Sequence, residues 1–269
     1  MIGTLRKLKT ELTTPVTYHL PIGEELKSLN ELIGNQITLT HTGRIFCIHC
    51  NRKTKKSFSQ GYCYPCFKKL AQCDTCIVKP ETCHFDKGTC REPDWAQSHC
   101  FQPHYVYLAN SSGVKVGITR ENQIPTRWID QGAIQALPIA KVNNRLLSGL
   151  VEIAIAEHVA DKTNWRTMLK GAVEAIDLKA KRDELLAICG EKLEDLTIKH
   201  GAHSIELLQA EPVDITYPVE THPTKVSTHN FDKKELVTGL LKGIKGQYLM
   251  LDTGVINIRK FAGYEIELK

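Results

Sequence analysis

The sequence predicts an α+β protein made of a β-rich unit with strands from both chain ends, a cysteine-rich module and a small αβ domain. Three observations lead to this prediction. Segments that alternate apolar and polar residues lie near both ends of the 269-residue chain. Nine of the ten cysteines fall within residues 47–100. A predicted β-hairpin follows the cysteines, and predicted helices follow the hairpin.

Composition and periodicity divide the chain into five segments. Residues 33–46 and 244–258 each predict a strand, a turn at Thr-Gly and a second strand. We therefore expect the two chain ends to build similar hairpins or to meet in one small barrel. The segments are a β-rich N-terminal part at 1–46, two cysteine-rich knuckles at 47–100, the αβ domain at 101–170, a helical part at 171–210, and a linker with a β-rich C-terminal part at 211–269.

The overall composition is that of a globular protein. Hydrophobic residues make up 42% of the chain and charged residues 24%, which is enough apolar material for a packed core. No apolar signal region follows the N-terminus, and no apolar run approaches the roughly eighteen residues of a membrane span. We expect a cytoplasmic protein that does not contact a membrane.

The first cysteine group has the spacing of a zinc site. Cys47 and Cys50 form one CxxC pair, and Cys63 and Cys66 form a second pair after twelve intervening residues. Two such knuckles supply the four thiolates of a tetrahedral zinc ion. In a cytosolic chain, clustered cysteines indicate metal binding rather than disulfides. The zinc could serve only to staple a short segment, or it could also support a binding function.

Basic residues occupy the loop between the two knuckles. Residues 44–72 hold seven Lys or Arg residues and no acid, within a chain of net charge +5. Clustered cations bind nucleic acid by releasing its counterions, and nearby aromatic rings can stack on bases. The alternative is an ordinary solvated loop. The predicted phosphate-contacting residues are Arg52, Lys53, Lys55 and Lys56.

A second group of five cysteines predicts a second metal site. We expect Cys73, Cys76, Cys83 and Cys90 to bind a second zinc ion, with Cys100 as the most plausible substitute. An iron–sulfur cluster is an alternative because four thiolates suit it equally, but the spacing is not that of a ferredoxin. Sites made only of cysteines are closed to water, so neither group is expected to be catalytic.

The αβ domain begins with the predicted hairpin. Residues 105–108 and 114–119 predict two strands, which the turn-forming residues 110–113 connect. Arg127 follows a proline that can open a short helix. Residues 145–160 predict an amphipathic helix that carries Glu152 at the border of its apolar stripe, and Asn164 lies just beyond.

This order of parts resembles the GIY-YIG nuclease superfamily. In that family a hairpin carries two short motifs, a helix supplies an arginine, a later helix supplies a metal-binding glutamate, and an asparagine follows. Tyr107 matches the tyrosine of the first motif, and Arg127, Glu152 and Asn164 match the other three positions. Lys115 departs from the pattern, because the second motif has a tyrosine there. The whole chain also looks like an uncharacterised bacterial family that joins cysteine-rich knuckles to such a domain.

The resemblance implies a phosphodiester-cleaving site. Glu152 would bind Mg²⁺ or Mn²⁺, and Arg127 would contact the phosphate oxygens. Tyr107 would position or deprotonate water, and Asn164 would order the site by hydrogen bonds. Lys115 could replace the tyrosine as an electrostatic partner or as a base, or it could mark a fold kept only for binding. Three functions stay open: a metal-dependent endonuclease, a non-catalytic RNA or DNA binder with a relic nuclease fold, and a zinc-dependent protein-interaction module.

Overall fold

A computed structural model of the chain describes residues 1–159 and 163–269. It confirms the predicted α+β class, with antiparallel sheets and helices along the chain. The strands of this part are β1 (Ile2–Thr4), β2 (Lys9–Glu11), β3 (Thr17–Ile22), β4 (Glu25–Ser28), β5 (Gln36–Phe46), β6 (Lys53–Thr54), β7 (His104–Asn110), β8 (Val114–Arg120), β9 (Gln135–Val142), β10 (Ile205–Leu207), β11 (Val213–Asp214), β12 (Leu236–Lys245), β13 (Tyr248–Leu251), β14 (Gly254–Asn257) and β15 (Tyr264–Leu268).

Six α-helices accompany these strands in the described residues. They are α1 (Tyr64–Lys69), α2 (Pro93–His99), α3 (Thr126–Asp130), α4 (Arg145–Ala156), α5 (Trp165–Leu169) and α6 (Leu178–His200). Single 3-10 turns lie at Asn30–Leu32, Ala71–Cys73, Thr75–Ile77, Pro80–Thr82, Phe85–Lys87, Glu121–Gln123 and Arg259–Phe261. None of the helices in the described ranges is both long and apolar enough to cross a membrane.

The two chain ends meet in one seven-stranded sheet. Its order is β1-β15-β5-β12-β13-β14, with β6 also paired to β5. β13 and β14 form the hairpin expected near the C-terminus, with Leu251 opposite Gly254. The prediction of a matching N-terminal hairpin is wrong, because β5 runs unbroken through Gly43, which adopts a positive φ of 78°. The first half of β5 pairs with β12 and β15 extends along its second half, so both halves stay extended.

The five-stranded sheet of the αβ region has the order β10-β9-β7-β8, with β11 on β9. β7 and β8 form the predicted hairpin, in which Tyr107 lies opposite Gly117. Alternate residues of β7 face opposite sides. Tyr107 and Ala109 join the core of the seven-stranded sheet, whereas Val106 and Leu108 pack with α4 and α6. One face of this small sheet is therefore closed by the unit built from the chain ends.

The predicted helices are partly recovered. Asn144 caps α4 by accepting a hydrogen bond from the Leu147 amide, and the helix ends at Ala156. Its expected last residue, at position 160, lies outside the described residues. The helical pattern expected from position 165 to about 196 divides into α5 and α6. Gly171 lies in the break with a φ of 72°, and Asp177 caps α6.

Candidate functional site

The first cysteine group forms a compact cluster. Cys47 and Cys50 follow β5, Cys63 precedes α1 and Cys66 lies within it. Their sulfur atoms lie within 3.5–3.8 Å of one another. A tetrahedron with metal–sulfur bonds of about 2.3 Å has edges of about 3.8 Å. All four cysteines are free thiols at separations far beyond a disulfide bond. The four thiols could therefore hold one metal ion.

Backbone amides prepare the first group for metal binding. Burial favours the neutral thiol of Cys47, but hydrogen bonds from the amides of Cys50, Cys63 and His49 outweigh it and lower the pKa to about 6. A lowered pKa favours the thiolate, which is the form that binds metal. Burial and the neighbouring thiols raise the pKa of Cys66, because four negative charges cannot gather without a cation.

The second group is arranged differently from the prediction. Cys76, Cys83, Cys90 and Cys100 all line one small cavity, whereas Cys73 does not. Cys73 lies in the 3-10 turn ahead of this cavity, where burial raises its pKa to about 11 and the nearby Cys47 adds to the rise. Cys100 was the predicted substitute ligand. It lines the cavity because it directly follows α2, which brings it there. The cavity therefore favours Cys100 over Cys73 as a member of the second group, and a metal-binding role of Cys73 stays a prediction.

A cleft of about 720 Å³ lies where the modules meet. Residues from the N-terminal segment, the knuckles, the αβ hairpin, α4 and the C-terminal segment all line it. Among the residues that the structure describes, its walls carry six basic and two acidic ones, so positive charge is in excess. The basic residues are Arg6, Lys7, Arg120, Arg127, Arg145 and Arg259, and the acidic ones are Asp130 and Glu152.

Most of these cleft cations have no ion-pair partner among the described residues. Lys7 forms an ion pair with Asp130 at 2.9 Å, which commits one of the two acids. In the part of the chain that the structure describes, Arg120, Arg127 and Arg259 have no ion-pair partner. Burial lowers the pKa of Arg259, the charge of Asp130 opposes this change, and the charge of Arg127 adds to it, so the two arginines repel one another. Such a cleft attracts anions, since a phosphate or carboxylate would relieve that repulsion.

Two of the predicted catalytic residues line the cleft and a third lies behind it. Arg127 and Glu152 line it from α3 and α4. Tyr107 is fully buried, and its hydroxyl has no hydrogen-bond partner of good geometry within the described residues. Burial raises its pKa, while the charge of Arg127 opposes the rise and that of Glu152 adds to it. Tyr107 is therefore close enough to both cleft residues to feel their charges.

Gly117 provides the space that the Tyr107 ring occupies. A Cβ atom at this position would lie 2.7 Å from the hydroxyl oxygen. The second motif of the hairpin therefore needs a glycine here for packing, whatever the chemistry of the site. The ring also contacts Trp128 of α3 edge-on, with centroids 6.1 Å apart. This contact fixes the helix that carries Arg127 against the hairpin.

The remaining predicted catalytic residues do not line the cleft. Lys115 is buried in β8 opposite Ala109. Asn164 caps α5, where its side-chain oxygen accepts hydrogen bonds from the amides of Arg166 and Thr167 at 3.2 and 3.3 Å. Their expected parts in catalysis stay predictions, and the structure gives Asn164 a structural task.

The predicted phosphate-contacting cations lie at the surface of the knuckle module. Their side chains are exposed on β6 and its flanking loops, and none lines the cleft itself. The same loop continues to Ser59 and Gln60, which do line the cleft. The basic loop therefore leads towards its mouth. The four residues are Arg52, Lys53, Lys55 and Lys56.

Sequence reasoning missed several of the cleft cations. Arg145 precedes Glu152 by seven residues, which puts both on the same side of α4. The spacing of seven residues could therefore have indicated that Arg145 lies beside Glu152. Arg120 ends β8, the second hairpin strand, and its closeness to the second motif was another local indication of a site residue. Arg6 and Arg259 come from opposite chain ends, and no local pattern indicates that they meet.

Comparison with protein families identifies the chain. The model of the family described as "Protein of unknown function (DUF2797)" matches residues 34–266. The chain therefore belongs to the DUF2797 family, which confirms the expectation of an uncharacterised family in its general form. Comparisons with curated proteins and with solved structures found no match. The GIY-YIG resemblance remains a prediction.

Proposed function

We propose that the protein binds nucleic acid in its cationic cleft and cleaves phosphodiester bonds with a divalent metal ion held by Glu152. The observation that carries this proposal is the shared location of Arg127 and Glu152, next to Tyr107 and among arginines without ion-pair partners. A polyanion would neutralise these arginines and release its own counterions. The family match is silent on activity, so the proposal rests on the site.

Each cleft residue has a defined part in this mechanism. Glu152 supplies a hard oxygen ligand of the kind that Mg²⁺ and Mn²⁺ prefer, and waters would complete the coordination shell. Arg127 is placed to neutralise charge that develops on the phosphate during attack by water. Burial raises the pKa of Tyr107, which makes it a poor base at neutral pH. Its hydroxyl is better suited to orienting a group by donating a hydrogen bond.

We propose zinc as the ion of the first cysteine group. Four thiolates at tetrahedral separations suit zinc, and such a closed shell supports structure rather than catalysis. The zinc would fix the loop that carries the exposed cations and the cleft residues Ser59 and Gln60. Free thiols in all ten cysteines fit a reducing compartment, so we propose a cytoplasmic location.

A non-catalytic nucleic-acid binder is the second candidate. The position of Lys115 away from the cleft, the capping task of Asn164 and the deep burial of Tyr107 favour it. A binder needs only the arginines, whereas a nuclease also needs Glu152. The two candidates therefore differ in what the loss of this carboxylate does.

The deciding experiment compares Glu152→Gln with the wild type. Labelled single-stranded and duplex DNA and RNA are incubated with Mn²⁺ or Mg²⁺, and binding is measured on the same substrates. We expect cleavage to fall by about 100-fold or more, as when a group that stabilises transition-state charge is removed, with binding retained. Glu157→Gln is the matched control, because Glu157 directly follows the same helix and pairs with Lys192.

The outcomes separate the two candidates. Cleavage that survives in Glu152→Gln would contradict the metal role of this residue. Binding without cleavage in the wild type would leave the non-catalytic binder. Absence of binding even at low salt would exclude both candidates.

The binding mode has its own test. Arg127→Ala should weaken binding for all sequences and reduce the slope of log K against log salt by about one. Lys192→Ala removes an exposed cation that pairs with Glu157 and should leave the slope unchanged. Equal slopes in both variants would show that the nucleic acid does not enter the cleft.

A further inference from the structure

We infer that the second cysteine group, Cys76, Cys83, Cys90 and Cys100, binds a four-iron, four-sulfide cluster rather than a single zinc ion. This assignment concerns the cavity that the four residues line, and it does not depend on the proposed nuclease activity. The protein would then hold one zinc ion and one iron–sulfur cluster instead of the two zinc ions that the sequence predicts.

The separation of the ligand atoms is the first reason. In the first group all four sulfur atoms lie within 3.8 Å, as one tetrahedral ion requires. Around the second cavity, the described side chains that come within 4.8 Å of one another are Asp74, Cys76 and His84. The other three thiols are not part of that close set. Thiolates of a four-iron cluster must stand further apart than ligands of one ion, because each binds a different iron atom.

The cavity between the thiols is the second reason. The four thiols surround a small cavity instead of converging on one point. Four thiolates around one zinc ion nearly touch and leave no such space. The walls are almost entirely apolar and include the rings of Phe85, Trp95 and Phe101. An apolar space between four thiols suits a cluster better than it suits a water molecule, which needs polar partners.

The polar residues beside the cavity are committed elsewhere. One carboxylate oxygen of Asp74 accepts a hydrogen bond from the Thr75 amide at 2.6 Å, and the other pairs with Arg91 at 2.8 Å. His84 has its Nδ1 atom 2.7 Å from the hydroxyl of Thr89, and its Nε2 atom lies 3.5 Å from the Asp74 oxygen that also pairs with Arg91. These contacts form a structural network around the turn. The thiols remain as the ligands, and an all-thiolate set is the usual one for iron–sulfur clusters.

The cavity is joined directly to the helix that carries Glu152. The Arg145 amide donates to the Cys100 carbonyl at 2.8 Å, and the Arg145 guanidinium donates to the Ile77 carbonyl at 2.5 Å. Pro80 packs so closely on Gly149 that a Cβ atom there would lie 2.6 Å from it. A cluster that fixes this module would therefore also fix the start of α4. This consequence, unlike the assignment, rests on the proposed function.

The test is the metal content of the full chain purified without oxygen from iron-supplied cells, before and after reconstitution with iron and sulfide. We expect about four iron atoms and four sulfides per chain in addition to one zinc ion, with the broad visible absorbance of such a cluster. Two zinc ions and no sulfide, or an empty second group, would overturn the assignment. Neither result depends on cleavage, so the proposed function is judged separately.

Variants locate the cluster. Cys90→Ser and Cys100→Ser should lose iron and sulfide while the zinc is retained. Cys73→Ser is the matched control, because this cysteine lies in the same region but outside the cavity, and it should keep both metals. Iron that persists in both cavity variants, or that is lost only in the control, would contradict the assignment. If a cavity variant does not fold, the metal content and the electron paramagnetic resonance of the reduced wild type decide alone.

Discussion

The two cysteine groups are adjacent in sequence but differ in geometry. In the first group, pairs of ligands are two residues apart, and each pair lies on a tight turn. This spacing brings four sulfurs within 3.8 Å. The cysteines of the second group are separated by six, six and nine residues. They reach their cavity from several 3-10 turns and from the end of α2. The same residue type thus builds a compact cluster that could hold one ion in one place and lines a small cavity in the other.

The two groups also support different parts of the molecule. The first is attached to the seven-stranded sheet, since the Phe46 amide donates to the Gly263 carbonyl at 2.7 Å and Arg6 donates to the Ile48 carbonyl at 2.9 Å. The second is attached to α4 through Arg145 and Gly149. Loss of the first group should therefore perturb the seven-stranded sheet. Loss of the second group should perturb α4, which carries Glu152.

The largest expected effect follows from removing a ligand of the first group. Cys63→Ser should unfold the knuckle segment, because structural zinc binding is worth about 10–16 kcal/mol to such segments. Hydrogen exchange should rise sharply in residues 47–66 while α4 stays protected. Cys189→Ser, a buried cysteine of α6, is the control and should leave that segment unchanged. Unchanged protection in the Cys63 variant would mean that the first group is not a metal staple.

A pH titration tests whether the surroundings of the second group exclude water and carry positive charge. His104 is fully buried, and burial lowers its pKa to about 4, with the charges of Arg145 and Arg120 lowering it further. Between about pH 6.5 and 4, His104 is protonated in the unfolded chain but neutral in the folded chain. Stability should therefore fall between about pH 6.5 and 4, by about 3 kcal/mol at most.

The measurement is denaturant unfolding of wild type and His104→Asn at pH 7 and pH 4.5. Because other groups titrate in this range, the difference between the two proteins isolates His104. The exposed His158→Asn is the control and should follow the wild type. A wild type and a His104 variant with the same pH dependence would contradict the expected lowering of the pKa.

The smallest effect comes from two glycines that lie in helices. Gly149→Ala should cost about 1–3 kcal/mol by overpacking α4 against Pro80, and it should reduce metal occupancy of the second group alone. Gly190→Ala meets nothing within 4 Å in α6 and should stabilise the protein by about 0.5–1 kcal/mol. Thermal unfolding and metal analysis check both. A neutral Gly149→Ala would show that α4 and the second group are not tightly coupled.

Local patterns predicted local structure well and long-range structure poorly. The β7–β8 hairpin and the first cysteine group were predicted because each depends on neighbouring residues and a tight turn. The turn expected at Thr42-Gly43 was wrong, because β5 continues through Gly43 with an irregularity against β15, and its partner strands come from the far end of the chain. The choice between Cys73 and Cys100 could not be made by spacing, since α2 and Arg145 decide where Cys100 lies.

The α+β class, the four cysteines of the first group as candidate metal ligands, and Arg127 and Glu152 as candidate site residues could all be predicted from the amino-acid sequence. The packing of distant segments brings Arg6 and Arg259 to the same cleft and arranges the second cysteine group around a cavity. The physical reason is the range of the interactions. Knuckles, hairpins and helix faces follow from the backbone geometry of a few neighbouring residues. The cleft exists because β1, β5 and β15 bring both chain ends together beside the αβ sheet.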